Sequence, residues 1–318
     1  LAQLPQAQGA LIAVNPEDGA VTALNGGFEF YNSKFNRVTQ SRRQPGSGFK
    51  PFIYSAALEK GYTAATLIND APVVLEDSSI DIWRPSNYSG KFYGPTRLRT
   101  ALTNSRNLVS IRILRDISAP YAIEYAEQFG FKSDQMPHNL SLALGSGVAA
   151  PWDMARAYAA IANGGYRVEP YLIKRIENAD GNIIMQAEPD TVCPYCIDNE
   201  PVAIEDNILP AAKRIMTPQN AYIMNSLLRD VVKHGTGREA LRLGRKDLAG
   251  KTGTTNDQVD AWFNGFHPGL VAISWGGFDS PSTLGRYETG GKAALPMWID
   301  FMEKALEGVP EKDLELPR

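Results

Sequence analysis

Ser47-Gly48-Phe49-Lys50, followed in chain order by Ser105-Arg106-Asn107 and Lys251-Thr252-Gly253, decides how this 318-residue sequence reads. Each short pattern alone is common. Ser47 alone reads as a helix N-cap, Lys50 as a solvated amine, and Ser105 and Asn107 as turn or cap residues. The ordered set carries more, because it supplies the parts of an acyl-transfer site that works without histidine. A hydroxyl serves as nucleophile and an amine one helical turn away removes its proton. A second hydroxyl relays that proton, and a cationic strand holds an anionic substrate.

The local sequence supports those roles. Phe49 to Leu58 reads as a helix with Ser47 at its opening, so that Lys50 lies at i+3 on the same face. Pro51 is tolerated in a first turn, and Gly61 lies just past the helix end. Gly46 and Gly48 are expected to keep the surroundings of Ser47 open to a substrate backbone. A helix N-terminus favours an alkoxide and the oxyanion that follows it.

Lys50 acts as a base only when neutral, and burial and a second cation at Lys251 both push its pKa down. Ser105 is expected to bridge the two amines, with Asn107 hydrogen-bonded to Lys50 or to a substrate amide. Leu98, Ala101 and Leu102 recur at i, i+3, i+4, so the stretch from Gly94 to Ser105 reads as a helix running into the second motif.

Lys251-Thr-Gly-Thr-Thr255 reads as a strand, with Gly253 where bulk would block a peptide lying alongside it. Lys251, Thr252 and Thr254 are suited to a terminal carboxylate. The backbone N–H groups of Ser47 and Thr254 are candidates for an oxyanion hole. Gly250-Lys-Thr252 also mimics the end of a phosphate-binding loop. That motif needs a glycine at position 245, which is Arg245, and a following helix, which the Thr-, Asn- and Asp-rich stretch after Thr254 does not supply.

Composition sets the bounds. Hydrophobic content of 43% and charge of 21% are ordinary for a globular chain, and a net charge of −3 argues against a nucleic-acid partner. No run of 18 apolar residues is present, and Leu1 to Gln8 lacks the features of a signal peptide. His138, His234 and His267 are scattered, so no metal set is expected. Cys193 and Cys196, the two cysteines, sit in a polar stretch and read as a local disulfide clip.

Ala10 to Leu24 reads as two strands joined by a turn at Asn15–Gly19. Gly46 to Gly165 is helix-rich, with a strong helix around Met154–Ala162. A hairpin at Tyr171–Met185 turns at Asp180-Gly181. Thr217-Pro218 opens a helix to about Lys233. Ala261–His267 and Leu270–Phe278 read as aromatic-rich strands, and Leu295–Leu306 as a last helix. Strands at both chain ends with helices between imply an α+β fold, an antiparallel sheet flanked by helices. Trp262, Phe263, Phe266 and Trp275 read as core. Trp83 and Tyr88 read equally well as cleft flank or surface packing.

With these residues in hand, the chain resembles the transpeptidase domain of class A penicillin-binding proteins, of the 1A kind. The resemblance runs through Arg43-Gln-Pro-Gly-Ser-Gly-Phe-Lys-Pro51, Trp83-Arg-Pro-Ser-Asn-Tyr88, Leu144-Gly-Ser-Gly-Val-Ala-Ala-Pro151, Gly235-Thr-Gly237, Ala249–Asp257 and Asp260-Ala-Trp-Phe263. It implies the penicillin-binding and serine β-lactamase-like fold over residues 1–318. It also implies that the chain is a fragment whose upstream membrane anchor and glycosyltransferase domain are absent.

The family's catalytic residues fall on Ser47, Lys50 and Ser105. Its substrate-binding residues fall on Asn107, Lys251, Thr252, Gly253 and Thr254. No cofactor and no metal is implied. The implied partners are peptidoglycan stem peptides, as D-Ala-D-Ala donor and amine acceptor, with β-lactams as covalent inhibitors and cell-wall synthesis proteins as further partners. The implied location is the periplasmic face of a bacterial inner membrane. A DD-carboxypeptidase and a non-catalytic β-lactam sensor are the alternatives. Two departures separate the chain from class A β-lactamases. Arg106 stands where those enzymes have Asp, and Leu108–Leu114 reads as an apolar helix with no loop bearing a deacylating glutamate. Slow β-lactam hydrolysis follows.

Overall fold

Successive side chains of a strand point to opposite sides. Strands from both ends of the chain build one sheet with two apolar faces, β-strands 260–267 and 270–277 being buried almost throughout. The structure is a computed structural model that describes residues 3–73, 75–76, 82–193, 211–312 and 316–317. Strands β1 (Gln8–Val14) and β2 (Val21–Asn25) come from the start of the chain. Short strands follow: β3 (Leu67–Asp70), β4 (Leu75–Glu76), β5 (Ile82–Trp83), β6 (Gly94–Arg97), β7 (Tyr166–Arg167), β8 (Arg175–Glu177), β9 (Ile183–Gln186) and β10 (Lys213–Arg214). Strands β11 (Ala249–Thr254), β12 (Asp260–His267) and β13 (Leu270–Gly277) complete the main sheet. Its order is β11-β12-β13-β1-β2, with antiparallel neighbours throughout.

The helices are α1 (Lys50–Glu59), α2 (Leu98–Thr103), α3 (Asn107–Ile117), α4 (Ala119–Glu127), α5 (Pro151–Ala162), α6 (Pro218–His234) and α7 (Leu295–Ala305). One sheet face, with Ile12, Trp262, Phe266, Ile273 and Trp275, packs on the helical core formed by α1 to α6. The other, with Ala13, Phe263 and Ala272, is covered by α7 through Leu295, Trp298 and Met302. Trp298 Nε1 donates to Ala272 O at 3.0 Å and fixes α7 on the sheet. Helix α1 is buried from Lys50 to Ala57, so it runs through the core.

The expected fold class, the terminal strand pairs, the two aromatic strands and the helices near Met154, Pro218 and Leu295 are all found. Trp262, Phe263, Phe266 and Trp275 are fully buried. Two local expectations are corrected. The Gly94–Ser105 stretch is a strand followed by a short helix, because Gly94–Arg97 pairs with β3 in the register Asp70↔Gly94 to Leu67↔Arg97. Ser47 does not open the α-helix. It sits in a 3-10 turn over Gly46–Phe49, and α1 begins at Lys50 with Pro51 in its first turn. Cys193 is disulfide-bonded, while Cys196 lies outside the described residues.

Candidate active site

The turn carrying Ser47 is built from inside the protein. Gly46 adopts φ +54°, and an added Cβ there would lie 2.6 Å from Thr254 O. A Cβ on Gly253 would run into Pro45 O and come within 2.9 Å of Trp262 Cβ. These glycines therefore let β11 pack backbone to backbone against the turn. The close neighbour of each is thus the fold itself, a constraint that stands beside the clearance for substrate expected at Gly46 and Gly48. Ser47 is half-buried between Gly46 and Gly48, both buried.

Lys50 follows on the first turn of α1 and is fully buried. Its Nζ donates to Ser105 O at 2.8 Å and to Asn107 Oδ1 at 2.7 Å, and lies 3.3 Å from Ser105 Oγ. Desolvation, reinforced by the charge on Lys251, holds its pKa well below the ordinary lysine value. A neutral amine spends its two N–H groups on the two shorter contacts, which leaves its lone pair free to take a proton.

Lys251, also fully buried, donates to Ser105 Oγ at 2.9 Å and to Thr252 O at 3.0 Å. Burial lowers its pKa to about 7. Ser105 Oγ thus lies between both amines, as its spacing led us to expect. Ser105 reaches this position with φ +55°, in the left-handed region that a non-glycine residue rarely occupies. The strained link joins α2 to α3.

A second layer of polar groups holds that link. Asn107 N donates to Asn87 Oδ1 at 2.9 Å, and Asn107 Nδ2 donates to Ser86 O at 2.9 Å. Asn87 Nδ2 in turn donates to Asp70 Oδ1 at 2.8 Å and to Lys91 O at 2.8 Å. Arg106 lies 4.0 Å from the fully buried Asp70 and 3.3 Å over the Tyr93 ring. So the Trp83–Tyr88 stretch borders the site through Ser86 and Asn87, and Tyr88 is exposed there.

On the β11 side, Thr252 Oγ1 is 2.6 Å from Thr236 Oγ1, and Thr254 Oγ1 accepts from Gly290 N at 3.0 Å. Asp70, Asn87, Thr236 and Gly290 were not singled out from sequence. The quoted stretches around Trp83 and Gly235 contain two of them, but their partners are 16 to 20 residues or more away.

The eight sequence-derived residues converge: Ser47 and Lys50 from the turn and α1, Ser105 and Asn107 from the α2–α3 link, and 251–254 from β11. Among the described residues, no group of three His, Cys, Asp or Glu side chains is arranged to hold a metal ion. A separate cavity of 730 Å³, lined by Glu59, Tyr121, Tyr125, Tyr166 and Arg214, contains none of the motif residues.

Comparison with known proteins identifies the family of the domain. The family model described as the penicillin binding protein transpeptidase domain matches residues 9–269. The chain is 48% identical over 345 residues to penicillin-binding protein 1A of Pseudomonas aeruginosa, covering 99% of this chain and 42% of that protein. Penicillin-binding protein 1A of Neisseria lactamica is 48% identical over 317 residues, covering 99% and 38%. The chain therefore spans about two-fifths of the length of these curated relatives. A crystal structure of penicillin-binding protein 1A from Haemophilus influenzae superposes with a TM-score of 0.93 at 38% identity, over all of this chain and 50% of that one. The PonA1 protein of Mycobacterium tuberculosis in complex with penicillin V shares the fold, with a TM-score of 0.78 at 23% identity, over all of this chain and 82% of that one.

Proposed function

The chain belongs to the penicillin-binding protein transpeptidase family, as a transpeptidase domain of the 1A type, and from that premise we propose that it cross-links peptidoglycan stem peptides through an acyl-enzyme on Ser47. The observation that carries this reading is Ser105 Oγ held between the amines of Lys50 and Lys251. Lys50 takes the Ser47 proton as Oγ attacks the penultimate D-alanine carbonyl. The oxyanion is held by the N–H groups of Ser47 and Thr254, donors of a kind that each contribute about 10²–10³ in rate. The proton passes through Ser105 to the nitrogen of the departing D-alanine, leaving an ester on Ser47.

An acceptor amine then attacks that ester. It gives up a proton along the same route, forms the new amide and frees the Ser47 hydroxyl. Lys251, Thr252 and Thr254 receive the donor's terminal carboxylate, and Asn107 orients Lys50 or the substrate amide. β-Lactams enter by the same attack, their carbonyl replacing that of the stem peptide. The whole protein's work at the periplasmic face of the inner membrane belongs to this same proposal. Among the described residues no helix is long and apolar enough to cross a membrane.

A fluorescent penicillin tests the nucleophile. One equivalent should attach to the chain and none to Ser47→Ala. Full labelling of Ser47→Ala would place the nucleophile elsewhere. With a stem peptide ending in D-Ala-D-Ala and a defined amine, D-alanine release should be matched by cross-linked product rather than by hydrolysis.

A further inference from the structure

Strand β12 turns Trp262, Asn264 and Phe266 toward the helical core, an apolar row interrupted by one amide. In the sheet register Asn264 lies opposite Lys251 on β11 and Ile273 on β13. It is fully buried, and among the described residues neither atom of its amide meets a protein group in hydrogen-bond geometry. A buried amide left this way opposes folding, and a leucine of similar outline would carry no such penalty. Such a residue needs a reason other than packing.

Its surroundings supply one. An added Cβ on Gly48 would come 2.5 Å from Asn264 Nδ2, so the amide lies directly behind the Ser47 turn. The Tyr158 hydroxyl, on α5, donates to Gly48 O at 2.8 Å and is itself fully buried. Asn264 lies near enough to that phenol to oppose the rise in its pKa that burial causes. The turn needs external support. Glycines flank Ser47 on both sides, and within the turn Gly48 N donates to Pro45 O at 3.0 Å.

We propose that Tyr158 and Asn264 are positioning residues for the nucleophile. Tyr158 fixes the Gly48 peptide by its hydrogen bond, Asn264 backs the same residue by direct contact, and together they hold Ser47 in register with Lys50 and Ser105. Neither touches the reacting atoms. The consequence for acylation rests on the acyl-enzyme reading above, whereas the support of the turn does not.

The test compares Asn264→Leu, Tyr158→Phe and the double variant of the full chain. Three readouts are melting temperature, amide exchange over residues 44–52, and acylation by a fluorescent penicillin, resolved into pre-acylation dissociation constant and acylation rate. Asn264→Leu should melt no lower than wild type, yet its turn amides should exchange faster. Its acylation rate should fall about 10- to 100-fold, the scale set by small misplacements of a reacting group, with the dissociation constant nearly unchanged. Tyr158→Phe should slow acylation and speed turn exchange likewise, with a lower melting temperature because Gly48 O loses its donor. The double variant should be little worse than Tyr158→Phe alone, because both act on the one Gly48 residue. Wild-type acylation rates, or multiplicative losses in the double variant, overturn the proposal. Should wild type itself take no label, the acyl-enzyme reading fails, and unaltered turn exchange in both variants would then overturn the positioning role by itself.

Discussion

Two lysines with no carboxylate partner among the described residues face each other in the interior, and Ser105 Oγ separates them. Burial favours the neutral form of an amine, which suits Lys50 to the base's part proposed above and leaves Lys251 a readily discharged cation. The sign of each effect fixes a pH profile. Acylation should fall as pH drops through the lowered pKa of Lys50, because the protonated amine cannot accept the Ser47 proton. It should also fall above about 7, where Lys251 loses its charge and its hold on a carboxylate. Measured as the second-order acylation constant, the profile should be bell-shaped for a penicillin and lose its alkaline limb for the same penicillin esterified at its carboxylate. Ser105→Ala should cut acylation by about 10²–10⁴, the range for a proton-transfer group, while the chain still folds. At this scale the cluster was readable in the sequence, since residue type and order single out Lys50, Ser105 and Lys251 before the fold brings them together. The groups around that cluster, Asp70, Asn87, Tyr158 and Asn264, were not, because only tertiary packing brings them there.

Between elements, the decisive contact is backbone against backbone, where β11 meets the Ser47 turn. Gly253→Ala should destabilise by about 1–3 kcal/mol in urea unfolding, since the new methyl strikes Pro45 O and Trp262 Cβ and neither can move freely. It should slow acylation as well, by separating strand and turn. Asn87→Ala removes the amide linking Asp70 to the α2–α3 link and leaves a fully buried carboxylate oxygen without its partner. A loss of about 1–3 kcal/mol is expected, read in the same experiment. Periodicity revealed the long elements because each has one dominant partner surface. It could not divide Gly94–Ser105, where a non-local pairing with β3 overrides a helical pattern. Nor could it show that the Ser47 turn is 3-10, since glycine spacing fits either geometry.

Across the whole molecule, two cores share one sheet, and the site forms at the β11 edge on the side of the helical core. The β8–β9 hairpin stands apart, with Ile176, Ile183, Ile184 and Met185 exposed. Replacing residues 176–185 by a short Gly-Ser link should leave penicillin labelling unchanged, which gel fluorescence would read directly. The architecture was legible in outline because strands at both chain ends must meet in one sheet. What lies between them was not, since it depends on which helix faces which. The site's three segments are separated by 55 and 146 residues, and no single element carries both Ser105 and either lysine. A partly unfolded molecule therefore cannot keep part of the chemistry. A fluorescent penicillin should then count native molecules one by one: the labelled fraction along a thermal or urea titration should follow circular dichroism with a common midpoint, and so serve as an assay of folding yield.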